Sequence, residues 1–220
     1  QYVSFVKSCS ADTGEKDLEY SKKGVEAGKI IVKKQPSYLR GWIMLGALTN
    51  ILIDREKEPS IKQQLVEQAN SYFKTAYELS PKRPEVLAEC AKTSLVTKNY
   101  EGVKEKSQQC IETTQTFADC YWLLGISQPL LGDTKNGREN IELSRVKGLY
   151  FLGSHFRQLA ALYAFEKKYN DLIWAYEQLV GQEPFKFENR ALLAFTYRQV
   201  GRYEDARKQV RIILDLAGDD

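Results

Sequence analysis

Four short turns recur along the chain at an almost constant spacing. Lys98-Asn99-Tyr100-Glu101, Lys167-Lys168-Tyr169-Asn170 and Gly201-Arg202-Tyr203-Glu204 share one form, and Gly132-Asp133-Thr134-Lys135 is a degenerate version of it. Their third residues are 100, 134, 169 and 203, so the spacings are 34, 35 and 34. No unit of this length buries its apolar face alone, so such a chain must stack its repeats on one another.

Within each unit bulky, small and aromatic residues return at fixed points. With Tyr203 as the seventeenth position, Leu193 and Ala194 are the seventh and eighth and Tyr197 the eleventh. Ala206, Val210 and Ile213 are then the twentieth, twenty-fourth and twenty-seventh. The preceding unit repeats the pattern with Phe156, Leu159, Ala160, Tyr163, Leu172, Tyr176, Leu179 and a closing Pro184; Tyr121, Leu124, Gly125 and Gly137 mark the one before. Leu87, Cys90, Ala91, Val103 and Cys110 mark a fourth. Apolar residues at these intervals predict paired amphipathic helices, with small residues where two helices approach closely.

A fifth unit is stretched. Trp42-Ile43-Met44-Leu45-Gly46 opens a first helix, and Ala69, Phe73, Ala76 and Pro81 belong to a second. Trp42 to Pro81 spans 39 residues where the other units need 28, an excess of 11. The charged stretch from Asp54 to Ser60, which contains Pro59, is expected to hold much of this excess as a long loop. Tyr20 to Lys34 reads as another second helix ending at Pro36, with Tyr2 to Cys9 as its partner. Pro129, in the last turn of a first helix, should kink or end it.

This period and pattern, from about Ser37 to Leu216, resemble the tetratricopeptide repeat. The resemblance implies an all-α superhelical solenoid of about twelve antiparallel helices. Its expected divisions are a partial repeat at 1–36, a repeat with an extended turn at 37–83, and repeats at 84–117, 118–152, 153–186 and 187–220. They form one continuous array without an internal linker. Proteins of this family present surfaces to other proteins, and their first helices line a concave groove through positions two, five, nine and twelve. Here those positions supply Leu95, Trp122, Ile126, Arg157 and Phe195 as candidate groove contacts. The apolar middle of the groove, around Trp122 and Ile126, either marks a peptide site or packs between neighbouring first helices.

A narrower resemblance is carried by Arg40-Gly41-Trp42-Ile43-Met44-Leu45-Gly46 through Asn50-Ile51-Leu52, and by Tyr72-Phe73-Lys74 to Glu78-Leu79-Ser80-Pro81-Lys82-Arg83. These segments are similar to the soluble repeat tail of bacterial O-antigen ligase/polymerase-type membrane proteins. That parentage implies a periplasmic or extracellular location. The glycan-transfer chemistry would lie in a membrane region outside this sequence, so no catalytic residue carries over. A start on Gln1 rather than Met fits a processed chain or a piece of a larger one.

Residues that could carry chemistry are sparse. The sequence has no P-loop, no G-x-S-x-G, no H-E-x-x-H and no dinucleotide-binding glycine run. Gly125, Gly132 and Gly137 are explained by their repeat positions as helix contact, turn and helix contact. The only histidine, His155, cannot build a zinc site or a triad. The expectation is a protein that is not an enzyme and uses no metal or cofactor. With 32 basic and 29 acidic side chains, interleaved along helices, nucleic acid is not an expected partner. No apolar run reaches the length of a membrane span.

Cys90 and Cys110 fall at core positions and can be read as small buried apolar residues. Cys110 and Cys120 flank one loop, so a disulfide between them is also geometrically open, and would argue for an oxidising compartment. The last helix carries Ile212, Leu214 and Leu216 besides its core positions. Leu214 falls where an internal unit would meet its successor. These three residues form a candidate self-association end, and a second copy of the chain is the first partner expected, with a helical filament as one outcome. A peptide or protein held in the groove is the other.

Overall fold

The computed structural model describes residues 14–218, which form eleven α-helices and no strand. These are α1 (Gly14–Lys34), α2 (Leu39–Arg55), α3 (Pro59–Leu79), α4 (Pro84–Val96), α5 (Tyr100–Thr113), α6 (Ala118–Ser127), α7 (Thr134–Val146), α8 (Gly153–Phe165), α9 (Tyr169–Gln182), α10 (Phe187–Gln199) and α11 (Tyr203–Ala217). The helix expected at Tyr2 to Cys9 lies outside the described residues.

The helices fall into two compact units, one ending at Lys147 and the other beginning at Gly148. Gly148 adopts φ +96°, and residues 149–152 carry no helix before α8 begins. In the first unit each helix packs on the next, and the first-type helices α2, α4 and α6 also pack on one another in order. In the second unit α8, α9, α10 and α11 pack in succession.

The recurring turns share one backbone device. Lys98, Gly132, Lys167 and Gly201 stand at the same repeat position, and all four have positive φ, at 60°, 89°, 57° and 77°. In each case the next residue's N–H reaches back to a carbonyl five residues earlier. The bonds are Asn99 to Ser94 at 2.8 Å, Asp133 to Gln128, Lys168 to Tyr163 and Arg202 to Tyr197, each of these three at 2.9 Å. This is the Schellman ending, in which a left-handed residue closes one helix and redirects the chain. After the first of these turns the Asn99 side chain accepts the Gly102 N–H at 3.0 Å and caps α5.

The long loop expected between Asp54 and Ser60 is not formed. Only residues 56–58 separate α2 from α3, and Pro59 opens α3, where its missing N–H costs no helical bond. The excess is helix instead: α2 and α3 have 17 and 21 residues against 13 and 14 in α4 and α5. The added turns have apolar surface to meet. Leu52 joins the buried cluster of Val25, Val32, Leu45 and Leu48, against which Leu18, Ile51 and Leu65 also pack. The long α1 thus supplies the partner that holds the extension helical.

Close helix approach accounts for two of the glycines. A Cβ on Gly125 would lie 2.9 Å from the Gly137 carbonyl oxygen, and one on Gly137 would lie 2.9 Å from that of Gly125. The two glycines therefore let the backbones of α6 and α7 meet. α6 ends at Ser127, and Pro129–Leu131 forms a single 3-10 turn.

Candidate interaction surface

α6 is apolar almost all round, and every residue from Cys120 to Ser127 is buried. Trp122 is 4% and Ile126 5% exposed, so neither offers surface to a ligand. Of the two readings open for this pair, their burial fits packing between neighbouring helices, since a helix without a polar face packs on all sides. Leu95 is half-buried in α4. In the same unit a buried polar bridge joins α2 to α4. Thr93 Oγ1 donates to Asn50 Oδ1 at 2.8 Å, and Asn50 Nδ2 donates to the Glu89 carbonyl at 3.3 Å.

Arg157 is committed within the second unit. Its Nη1 donates to Glu183 Oε2 at 2.7 Å, Asn189 Nδ2 donates to the same oxygen at 2.9 Å, and Lys186 Nζ lies at 3.4 Å. Burial alone would raise the Glu183 pKa, but these hydrogen bonds and the Arg157 and Lys186 charges outweigh it and hold the carboxyl at about 2. The group ties α8 to the start of α10 through the end of α9. Burial, followed by a 2.7 Å hydrogen bond donated to Glu177, pushes the Tyr197 hydroxyl up to about 12, and the Arg202 guanidinium lies 4.4 Å from its ring centre. Burial likewise pushes the Cys90 thiol up to about 11, which leaves it a protonated, unreactive group. His155 Nδ1 accepts the Leu152 N–H at 3.0 Å and caps the start of α8.

Exposed apolar side chains collect on the α10–α11 hairpin. Phe195 is 59% exposed, Val210 47% and Leu214 66%, and Tyr203 and Leu192 are exposed as well. Tyr203, Val210 and Leu214 follow one another at i, i+7 and i+11, which places them on one face of α11. Ile212 and Leu216, grouped with Leu214 from the sequence, are half-buried, because they stand on another side of the helix. Val210 and Tyr203 are absent from that sequence grouping. The helical spacing to Leu214 is the signal that reveals them.

The internal repeat shows what this face does elsewhere in the same unit. Tyr176 and Val180 of α9 precede Val210 and Leu214 by one repeat. Both pack against the buried cluster that Ile173 of α9 forms with Leu193 and Tyr197 of the following helix α10. Among the described residues no helix follows α11.

Several solved structures have this fold. A thermophilic tetratricopeptide-repeat protein of Thermus thermophilus superimposes with a TM-score of 0.62 at 13% identity, covering 87% of this chain and 94% of its own. A chain of the Cut9–Hcn1 hetero-tetramer of the APC/C matches with a TM-score of 0.62 at 16% identity, over 93% of this chain and 40% of its own. MamA of Desulfovibrio magneticus RS-1, from residue 41 to its end, gives 0.56 at 13% identity, over 80% of this chain and 97% of its own. No protein-family model matches the chain, and no curated protein matches it in sequence. The chain therefore has the all-α fold of tetratricopeptide-repeat solenoids.

Proposed function

We propose that the chain is a non-catalytic protein–protein interaction module, a scaffold that self-associates through the exposed face of α10 and α11. The observation that carries this reading is Leu214, two-thirds exposed at a repeat position whose counterpart Val180 packs against the buried cluster of Ile173, Leu193 and Tyr197. An apolar face of this kind is stabilised by covering, and a helix like α10 from another copy has the right chemistry to cover it. Such a contact joins different surfaces of the two copies, so it propagates into an oligomer or helical filament unless it closes into a ring. Burial accounts for the shift of Cys90, and structural partners with burial account for those of Glu183 and Tyr197, which supports a scaffold rather than an enzyme.

The second reading is a monomeric adaptor with a peptide in its concave groove. The burial of Trp122 and Ile126 removes its main apolar contacts and disfavours it. A parentage in glycan-transferring membrane proteins rests only on the Arg40–Leu52 and Tyr72–Arg83 segments and adds nothing to either reading. Among the described residues no helix is long and apolar enough to cross a membrane.

A photoreactive phenylalanine analogue placed at Leu214 tests the proposal with purified protein. Irradiation should yield covalent dimers and higher species at micromolar concentration, and the same group at exposed Gln178 of α9 should yield few. Uncross-linked monomer from the Leu214 position would contradict self-association through this face.

A further inference from the structure

Cys110 and Cys120 form a disulfide that spans the turn between α5 and α6, with Cα atoms 6.1 Å apart and a sequence separation of 10. Both cysteines are fully buried. Cys110 stands in the last turn of α5. Cys120 opens the run of buried residues, unbroken to Ser127, that makes α6 the most completely covered helix among those described. The bond therefore fastens an interior helix to the helix before it, at the one end where a short turn would otherwise be free to open.

We infer that this disulfide is a redox-conditioned lock on α6. While it is closed, α6 cannot separate from α5 at its first turn, and Trp122 and Ile126 stay covered. Its burial shields it from soluble reductants unless the first unit opens locally. Reduction is a two-electron exchange with a dithiol. One reductant thiolate attacks one sulfur of the pair, breaking the S–S bond and releasing the other cysteine as a thiolate. The reductant's second thiolate then attacks the reductant sulfur of this mixed disulfide, closes the reductant's own disulfide and releases the attacked cysteine. Cys110 and Cys120 are left as thiols, each bearing one proton. Once reduced, the α5–α6 turn opens at lower cost, and the first surface to appear is the apolar side of α6. Cys90, half-buried and protonated on α4, is a bystander rather than a competing partner.

The test uses the full chain, oxidised with glutathione disulfide. After denaturation without reductant, alkylation and peptide mapping should leave Cys110 and Cys120 unlabelled, and after reduction should label both. Labelled Cys110 and Cys120 in the unreduced chain would overturn the proposal. Reduction should lower Tm by about 5–10 °C, the scale of a short closed loop in a chain of this size. It should also increase binding of an apolar dye below the melting transition. Replacing Cys90→Ser should keep the redox-dependent shift, and Cys110→Ser with Cys120→Ser should abolish it. If the double variant does not fold, the two melts of the unaltered chain decide. Equal Tm and equal dye binding in both redox states would refute the lock.

Discussion

Val180 and Leu214 occupy the same point of successive repeats, yet Val180 packs against the buried cluster of Ile173, Leu193 and Tyr197 while Leu214 lies exposed. One position in the repeat thus has two environments, and a charge placed there should have two effects. Val180→Glu should cost at least about 2 kcal/mol, because it leaves a carboxylate facing an apolar cluster. Leu214→Glu should change stability by no more than about 0.5 kcal/mol. Urea melts of the two variants check the contrast.

The left-handed turn position carries lysine in two repeats and glycine in two others. A β-carbon is disfavoured at these φ values, and at Gly132 and Gly201 nothing lies close enough to an added Cβ to contribute a packing cost. Lys98→Gly and Lys167→Gly should each stabilise the fold by about 0.5–1 kcal/mol. Gly201→Lys should destabilise it by about 1 kcal/mol. Thermal denaturation distinguishes these signs.

Two helical glycines should respond oppositely to alanine. At Gly125 the new methyl would meet the backbone of α7, which cannot swing aside, and the cost should reach about 3 kcal/mol. At Gly181, near the end of α9, nothing lies within 4 Å. Gly181→Ala should therefore stabilise by about 0.5–1 kcal/mol, through helix propensity and lost unfolded-state freedom. Denaturant midpoints at constant slope would show both effects.

Acid stability follows from Glu183. Its folded pKa, about 2, lies below the ordinary carboxylate value of 4.5, so its contribution is fully present above the unfolded pKa. That contribution is lost as pH falls from about 4.5 toward 2. Glu183→Gln should cost about 2 kcal/mol at about pH 7, where charge-assisted bonds from Arg157 and Asn189 are weakened. The variant should also show a shallower loss of Tm between pH 4.5 and 2. Parallel slopes for the two proteins would contradict this assignment.

Much of the fold is legible in the sequence because the repeat fixes where large and small residues must alternate. The turns are visible through Tyr100, Tyr169 and Tyr203, although the left-handed residue at the repeat's turn shows as glycine only at Gly132 and Gly201. The segment around Glu56 and Pro59 misleads, since a polar stretch with a proline looks like a loop. The apolar residues on either side, Leu52 and Leu65, continue the helices only because α1 is there to receive them, and that is a tertiary fact. Trp122 and Ile126 stand at groove positions, and position alone does not separate groove from core. The apolar composition of α6 around its whole circumference does, once weighed as a helix without a wet side. Leu214 is legible from its repeat position, whereas grouping it with Ile212 and Leu216 mixes two sides of one helix.

Sedimentation equilibrium of the purified chain beside its Val210→Glu/Leu214→Glu variant tests the central claim most directly. Self-association through α10 and α11 predicts a weight-average mass that rises with concentration above the 25.2 kDa of one chain. The variant, equally well folded, should remain at that mass throughout. A monomeric mass for both proteins across the whole range, or an equal rise in both, would contradict it.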